Sequence, residues 1–156
     1  MVDTKKGVLV VVAVVAFILM SASNGGNNWI ENEISGYKVS SGLWNLCIRS
    51  TCASIAFDSV PDKLHATRAF TTIGTLLCAA GTIVALIRLC KDVDGKIVAG
   101  ILIGAGLCMV IGLAIYTDYS SDSVKLDGVS YGWSYILGWI ASILAFVAGG
   151  LNIFLK

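Results

Sequence analysis

Four long stretches of the chain contain no charged residue, and this pattern constrains the fold more than any other feature. They cover residues 7–22, 69–87, 97–117 and 131–155. A bilayer core of about 30 Å is crossed by roughly 20 helical residues. Because backbone N–H and C=O groups cannot stay unpaired in lipid, each stretch must be a helix despite its many Val and Ile residues. The pattern predicts four transmembrane helices at about 7–23, 69–89, 97–117 and 131–155.

The composition excludes a soluble protein and supports a single membrane domain that spans residues 1–156. Hydrophobic residues make up 56% of the chain and charged residues 13%, whereas a soluble domain carries about 25% charged residues. The net charge is +1, so there is no excess of basic residues to bind nucleic acid. We therefore expect the lipid bilayer as a partner and no nucleic acid.

The first apolar stretch has two interpretations. Lys5 and Lys6 precede it, and it ends in the small residues Ser21, Ala22 and Ser23. A basic start, an apolar run and small residues at the end are also typical of a cleaved signal peptide. The alternatives are therefore a retained first helix and a removed leader.

The distribution of Lys and Arg predicts the orientation. One side has six cations in short segments: Lys5, Lys6, Arg88, Lys91, Lys96 and Lys156. The other side has five over longer loops: Lys38, Arg49, Lys63, Arg68 and Lys125. The denser side is expected to be cytoplasmic. Both termini and an inner connection at 90–96 then lie inside, and two outer loops cover 24–68 and 118–130. Six aromatic residues are expected to mark the outer interface: Tyr116, Tyr119, Tyr131, Trp133, Tyr135 and Trp139.

The interiors of the predicted helices carry no charge, which argues against a pump, an ion-coupled transporter or a voltage sensor. Gly100 and Gly104 form a small-xxx-small pattern that allows close helix approach. We expect them to pack within one bundle, and a dimerisation face is the alternative.

The first outer loop has the pattern of a small antiparallel sheet. Short segments at 29–34, 37–40, 43–48 and 51–57 are separated by turn residues. Cys47 and Cys52 are the two outer cysteines, and such a pair is expected to form a disulfide outside the cell. Closing so short a ring contributes roughly 2 kcal/mol. A zinc site that adds His65 is a minor alternative. Cys90, at the inner edge, is either a free thiol or a palmitoylation site.

Nothing in the sequence indicates an enzyme. There is one histidine, no C-x-x-C motif and no phosphate-binding Gly-Lys loop. We expect no catalytic residue, no cofactor and no metal.

The first outer loop also carries a recognisable signature. Trp29, the run Gly42-Leu43-Trp44, Cys47 and Cys52 resemble the W…GLW…C…C signature of the claudin superfamily. That superfamily includes claudins, peripheral myelin protein, epithelial membrane proteins and the lens fibre intrinsic membrane protein. The C-x4-C spacing resembles the lens member more than typical claudins. The chain is therefore most similar to the myelin–lens subgroup.

The resemblance implies a left-handed four-helix bundle topped by an extracellular sheet, to which the second outer loop adds a strand. Trp44 and the Cys47–Cys52 bridge would hold the sheet against the bundle. Arg68 would cap the sheet or pair with an outer acid. These residues are expected to be structural rather than contact residues.

The function implied is adhesion between cells or membranes and membrane organisation, through the sheet and lateral self-association. The expected location is the plasma membrane at cell–cell contacts. A homo-oligomer is expected in cis and in trans, and a membrane-protein partner is a further expectation. The alternatives are a claudin-type paracellular barrier or pore and an accessory subunit of a channel or receptor. The sequence ends at Lys156 without the longer inner tail of claudins, which disfavours both.

Overall fold

The computed structural model describes residues 3–155, so the predicted inner charge at Lys156 lies outside the described residues. Four helices are long and apolar enough to cross a membrane: α1 (Thr4–Gly25), α2 (Asp62–Cys90), α3 (Gly95–Val124) and α4 (Trp133–Phe154). The predicted class, a four-helix membrane protein with a small antiparallel sheet, is confirmed.

Two of the helices begin at aspartate caps. The side chain of Asp3 accepts a hydrogen bond from the backbone N–H of Lys5, and that of Asp94 accepts one from Lys96, both at 3.0 Å. Each cap satisfies a backbone donor that the first turn leaves unpaired. The Asp94 cap restricts the connection between α2 and α3 to residues 91–94.

Helices α2 and α3 extend beyond the predicted spans at the same end of the bundle. Residues 62–68 are continuous with α2 after Pro61, and α3 continues seven residues past position 117. Polar side chains support the extension, since the Ser120 hydroxyl donates to the Tyr116 carbonyl and Lys125 pairs with Asp122. Most of the predicted outer loop at 118–130 is therefore helical.

The helices form a bundle in which each packs against two neighbours: α1 and α3 both contact α2 and α4. Several glycines allow close approach. A Cβ added at Gly74 would lie 3.0 Å from the carbonyl oxygen of Ala105 in α3, and one added at Gly106 would lie 2.9 Å from the Phe146 ring in α4.

Gly100 and Gly104 do not have this role, and the expectation that they pack inside the bundle is wrong. Among residues 3–155, nothing lies within 4 Å of a Cβ added at Gly100, and only Leu77 comes as near as 4.0 Å at Gly104. The spacing of the pair is suited to close contact, but the two glycines lie on the outward face of α3, whereas Ala99, Leu102 and Ala105 of the same turns are buried.

A five-stranded antiparallel sheet covers one end of the bundle. Its strands are β1 (Ile30–Ile34), β2 (Tyr37–Ser41), β3 (Asn45–Ile48), β4 (Thr51–Ser54) and β5 (Val129–Tyr131), in the order β4-β3-β2-β1-β5. The first four strands lie between α1 and α2. The fifth lies between α3 and α4 and pairs with β1, as the resemblance implied. We call this end the sheet end, and the opposite end, with the 91–94 connection, the hairpin end.

Tight turns fix the register of the strands. Ser35 and Gly36 have φ values of 50° and 80°, as in the two-residue hairpin turns that match strand twist. Arg49 begins the turn between β3 and β4 with a φ of 59°. Its guanidinium lies 3.6 Å from the centroid of the Tyr37 ring, a cation–π contact that joins the two turns.

Candidate interaction surface at the sheet end

Trp29 anchors the sheet in the bundle. Its side chain is 0% exposed, and its indole N–H donates to the carbonyl of Ser23 in α1 at 2.7 Å. The ring packs edge-on against Tyr116 of α3 and Tyr135 of α4, with centroids 4.8 and 6.0 Å away. One side chain at the start of β1 therefore contacts three helices.

An aromatic layer surrounds Trp29 at the sheet end of the bundle. Tyr131 stacks on Tyr135 at 4.1 Å, and their hydroxyls bond to Ser120 and Thr117 of α3. The expectation that Tyr116 and Tyr135 mark a lipid interface is wrong, because both side chains are buried beneath the sheet. Tyr131 is itself the last residue of β5 and is half-buried. Trp133, by contrast, is exposed.

The Gly-Leu-Trp run is divided between core and surface. Leu43 is buried, and its carbonyl oxygen accepts a hydrogen bond from Nε of Arg68 at 2.7 Å. Trp44 is 38% exposed, and its indole N–H donates to Asn24 at 3.3 Å. Leu43 is thus the buried anchor, whereas Trp44 contacts the bundle from the side.

Arg68 caps the sheet rather than pairing with an acid. It is 3% exposed, and its guanidinium carbon lies 4.9 Å from the centroid of the Trp44 ring. Within residues 3–155, no carboxylate oxygen lies within 4.0 Å of it. Arg68 therefore connects α2 to the loop before β3 through the Leu43 carbonyl.

Gly42 lies where two backbone segments cross. An added Cβ would overlap the carbonyl oxygen of Gly26 and lie 2.9 Å from the Cα of Asn27. Both neighbours are backbone atoms, which cannot move aside as a flexible side chain can. The first residue of the run is therefore required for its lack of a side chain.

Replacing Gly42 by alanine is expected to lower the free energy of unfolding by about 1–3 kcal/mol, as overpacking does in a close-packed site. The matched variant is Gly100→Ala, whose added methyl group meets open space and is expected not to destabilise the protein. Thermal unfolding in detergent measures both. Equal losses of stability in the two variants would contradict the backbone crossing.

The predicted disulfide is confirmed. Cys47 and Cys52 are direct register partners on β3 and β4, with Cα atoms 4.0 Å apart. Since both sulfurs are in the bridge, the zinc alternative is wrong. His65 instead packs against Phe57, with ring centroids 4.4 Å apart. Among the described residues, no group of three or more His, Cys, Asp or Glu could hold a metal ion.

The register assigns the side chains of the sheet to two faces. Directly paired residues share a face, and alternate residues of a strand lie on the same face. The pairs Ile34–Tyr37 and Val39–Ile48, together with the alternation along β2 and β3, therefore define one face. We call it the apolar sheet face: Ile34, Tyr37, Val39, Leu46 and Ile48.

The apolar sheet face is exposed at its far edge. Ile34 is 54% exposed and Ile48 is 51% exposed. The opposite face carries Glu31, Glu33 and Lys38, with an ion pair of 3.5 Å between Lys38 and Glu31. Sequence analysis missed this surface, because it becomes visible only when the register of three strands is known.

Cys90 is exposed at the hairpin end, as the last residue of α2. Acylation of this thiol stays a prediction.

Comparison with known proteins gives concordant matches. The model of the PMP-22/EMP/MP20/Claudin family matches residues 6–152. The lens fiber membrane intrinsic protein of Bos taurus is 30% identical over 147 residues, which cover 86% of this chain and 82% of the relative. Epithelial membrane protein 1 of Homo sapiens is 27% identical over 151 residues, which cover 94% of this chain and 93% of the relative. Epithelial membrane protein 2 of Bos taurus is 27% identical over 154 residues, which cover 90% and 89%.

Proposed function

The chain belongs to the PMP-22/EMP/MP20/Claudin family, and from this membership we propose that it holds membranes together through contacts between copies of its sheet. Lens and epithelial relatives are the subgroup that the sequence signature indicated. The chain is a multi-pass membrane protein. Its proposed role is adhesion between apposed membranes and their organisation, with a second copy of the chain as the partner in trans.

The exposed apolar sheet face supports this proposal. Trp29 and Leu43 hold the near ends of the strands against the bundle. Ile34, Tyr37 and Ile48 adjoin the turns at the far ends, away from the bundle. Exposed apolar patches of this kind mark protein or membrane contact sites. This position supports a role in contact with a protein of an apposed membrane.

The cation distribution supports an outward-facing sheet. Five cations of the described residues lie in short segments at the hairpin end: Lys5, Lys6, Arg88, Lys91 and Lys96. Short loops rich in Lys and Arg stay in the cytoplasm. The Cys47–Cys52 bridge fits an oxidising compartment. We therefore propose that both termini lie in the cytoplasm, and that the protein lies in the plasma membrane at cell–cell contacts.

Lateral association is the second part of the proposal. Gly100 and Gly104 lie on the outward face of α3, where the described residues bring only Leu77 of α2 as near as 4.0 Å to a Cβ added at Gly104. Small residues let helices of two molecules approach closely within a bilayer. We propose that copies in one membrane meet along this part of α3.

Cell aggregation tests the adhesive role. In cells that lack junctions, the wild-type chain is expected to cluster cells. The double variant Ile34→Ser/Ile48→Ser is expected to abolish clustering, because it removes two exposed apolar side chains from the contact. Clustering is scored by microscopy, after surface labelling has shown equal delivery.

The matched control is Glu33→Ser/Lys38→Ser. This pair lies on the opposite face of the same strands, is exposed and is a direct register pair. It is expected to cluster cells like the wild type. Two results would contradict a contact through the apolar sheet face. One is that cells with Ile34→Ser/Ile48→Ser still cluster. The other is that both double variants lose clustering equally. An absence of clustering with surface-delivered wild type would overturn trans adhesion by this chain alone.

A further inference from the structure

A cavity of about 610 Å³ opens at the hairpin end, at the opposite end of the bundle from the sheet. All four helix ends contribute to it. Lys6 comes from α1, Arg88 from α2, Gly95 and Lys96 from the first turn of α3, and Asn152 from α4. Its position at the ends of four membrane-crossing helices places it at the depth of lipid headgroups.

Arg88 is a buried cation that has no carboxylate partner among the residues that the structure describes. It is 7% exposed, and its Nη1 donates to Oδ1 of Asn152 at 2.7 Å. Within residues 3–155, its Nε has no acceptor and no carboxylate oxygen lies within 4.0 Å of its guanidinium. A buried charge without a counter-charge is strongly disfavoured. An anion in the adjoining cavity would supply that counter-charge.

The surroundings keep Arg88 in place beside the cavity. Asn152, which accepts from Arg88, donates in turn to the carbonyl of Ala148 at 2.7 Å. A Cβ added at Gly95 would lie 2.5 Å from the backbone carbonyl oxygen of Asn152 and 2.8 Å from Nη2 of Arg88, so the start of α3 packs closely against both residues. The arginine is therefore held by α4 on one side and by the start of α3 on the other.

The rim of the cavity has more cations than anions. Lys6 and Lys96 line it together with Arg88, against the carboxylates of Asp92 and Asp94. The Asp94 side chain is engaged by the backbone N–H of Lys96, which it caps. The charged groups around the cavity therefore sum to about +1, which favours binding of an anion.

We propose that this cavity binds the phosphate of an anionic phospholipid headgroup. Arg88 provides the fixed charge at the base, and the ammonium groups of Lys6 and Lys96 close over the phosphate from two sides. Basic pockets between transmembrane helices bind such headgroups, and the position at headgroup depth favours a lipid over a dissolved ion. The lipid would link the start of α1 to the α2–α3 connection and to α4.

The test titrates the purified full chain in nonionic detergent with fluorescent phosphatidylinositol phosphate and follows the anisotropy. About 0.5 M NaCl reduces the Debye length to about 4 Å, so that diffuse attraction is screened. The double variant Lys6→Gln/Lys96→Gln removes the charge-assisted hydrogen bonds of two lysines to the phosphate. Its affinity for the lipid is therefore expected to fall at least about tenfold.

The matched control is Lys5→Gln/Lys91→Gln. It removes the same charge from the same end, at two exposed positions that do not line the cavity. It is expected to bind within about twofold of the wild type, because contributions of exposed, screened charges are small. Unchanged thermal unfolding without lipid shows that both double variants fold.

Three results would overturn the proposal. Equal weakening in the two double variants would indicate a diffuse basic surface, and no saturable binding by the wild type would exclude a site. In the third, inorganic phosphate or a soluble inositol phosphate competes with the fluorescent lipid as strongly as unlabelled lipid does. That result would assign the site to a dissolved anion.

Discussion

Replacing Trp29 by alanine is expected to lower the free energy of unfolding by about 3–5 kcal/mol, the cost of truncating a buried aromatic side chain. The indole is fully buried between three helices and β1. The variant also leaves the Ser23 carbonyl without its donor, which adds the cost of an unpaired buried group. Unfolding by SDS titration in mixed micelles measures the loss, and less protein should reach the cell surface.

Two further variants separate the contributions. Trp29→Phe keeps an aromatic ring but loses the bond to Ser23, so we expect a loss of about 1–2 kcal/mol beyond the change in packing. Trp133→Ala removes the same type of side chain from an exposed position at the same end, and its effect should be small. A Trp29→Ala protein as stable as Trp133→Ala would show that the sheet does not depend on this anchor.

The helices could be predicted from the sequence because each depends on a local property. A charge-free run of about 20 residues must cross the bilayer whatever its neighbours are. The Cys47–Cys52 bridge was predictable for the same reason, since its two ends are only five residues apart. The continuation of α3 to Val124 was not, because its last turns are polar and have the composition of a loop.

Side-chain contacts were less predictable, because they depend on which face each element turns towards its neighbours. The spacing of Gly100 and Gly104 suits close packing, yet Gly74 and Gly106 make the contacts inside the bundle. The apolar sheet face requires the register of β1, β2 and β3. The cavity at the hairpin end requires Arg88 and Asn152, which are 64 residues apart, to be neighbours. No local pattern contains that information.

Replacing Arg68 by alanine is expected to lower the free energy of unfolding by about 2–4 kcal/mol, from a lost charge-assisted hydrogen bond and a large truncated side chain. The Leu43 carbonyl loses its donor, and the Trp44 ring loses the guanidinium near it. Arg68→Lys keeps the charge but not the planar guanidinium, so we expect most of the loss to remain. The control is Arg49→Ala, which removes an exposed arginine over Tyr37 and should cost about 0.5–1 kcal/mol.

The effect of Arg68 should also be local. Backbone hydrogen exchange is expected to become faster in β2, β3 and β4, because Leu43 lies in the loop between β2 and β3. The backbone amides of α3 and α4 are expected to keep their protection. An opposing contribution comes from the guanidinium itself, because its Nη2 is buried without an acceptor among residues 3–155 and desolvating a cation costs several kcal/mol. Alanine relieves that cost but leaves a void and an unpaired carbonyl, so we expect a net loss. A variant at or above wild-type stability would show that desolvation outweighs the bond to Leu43, and that Arg68 is not what holds the sheet to α2.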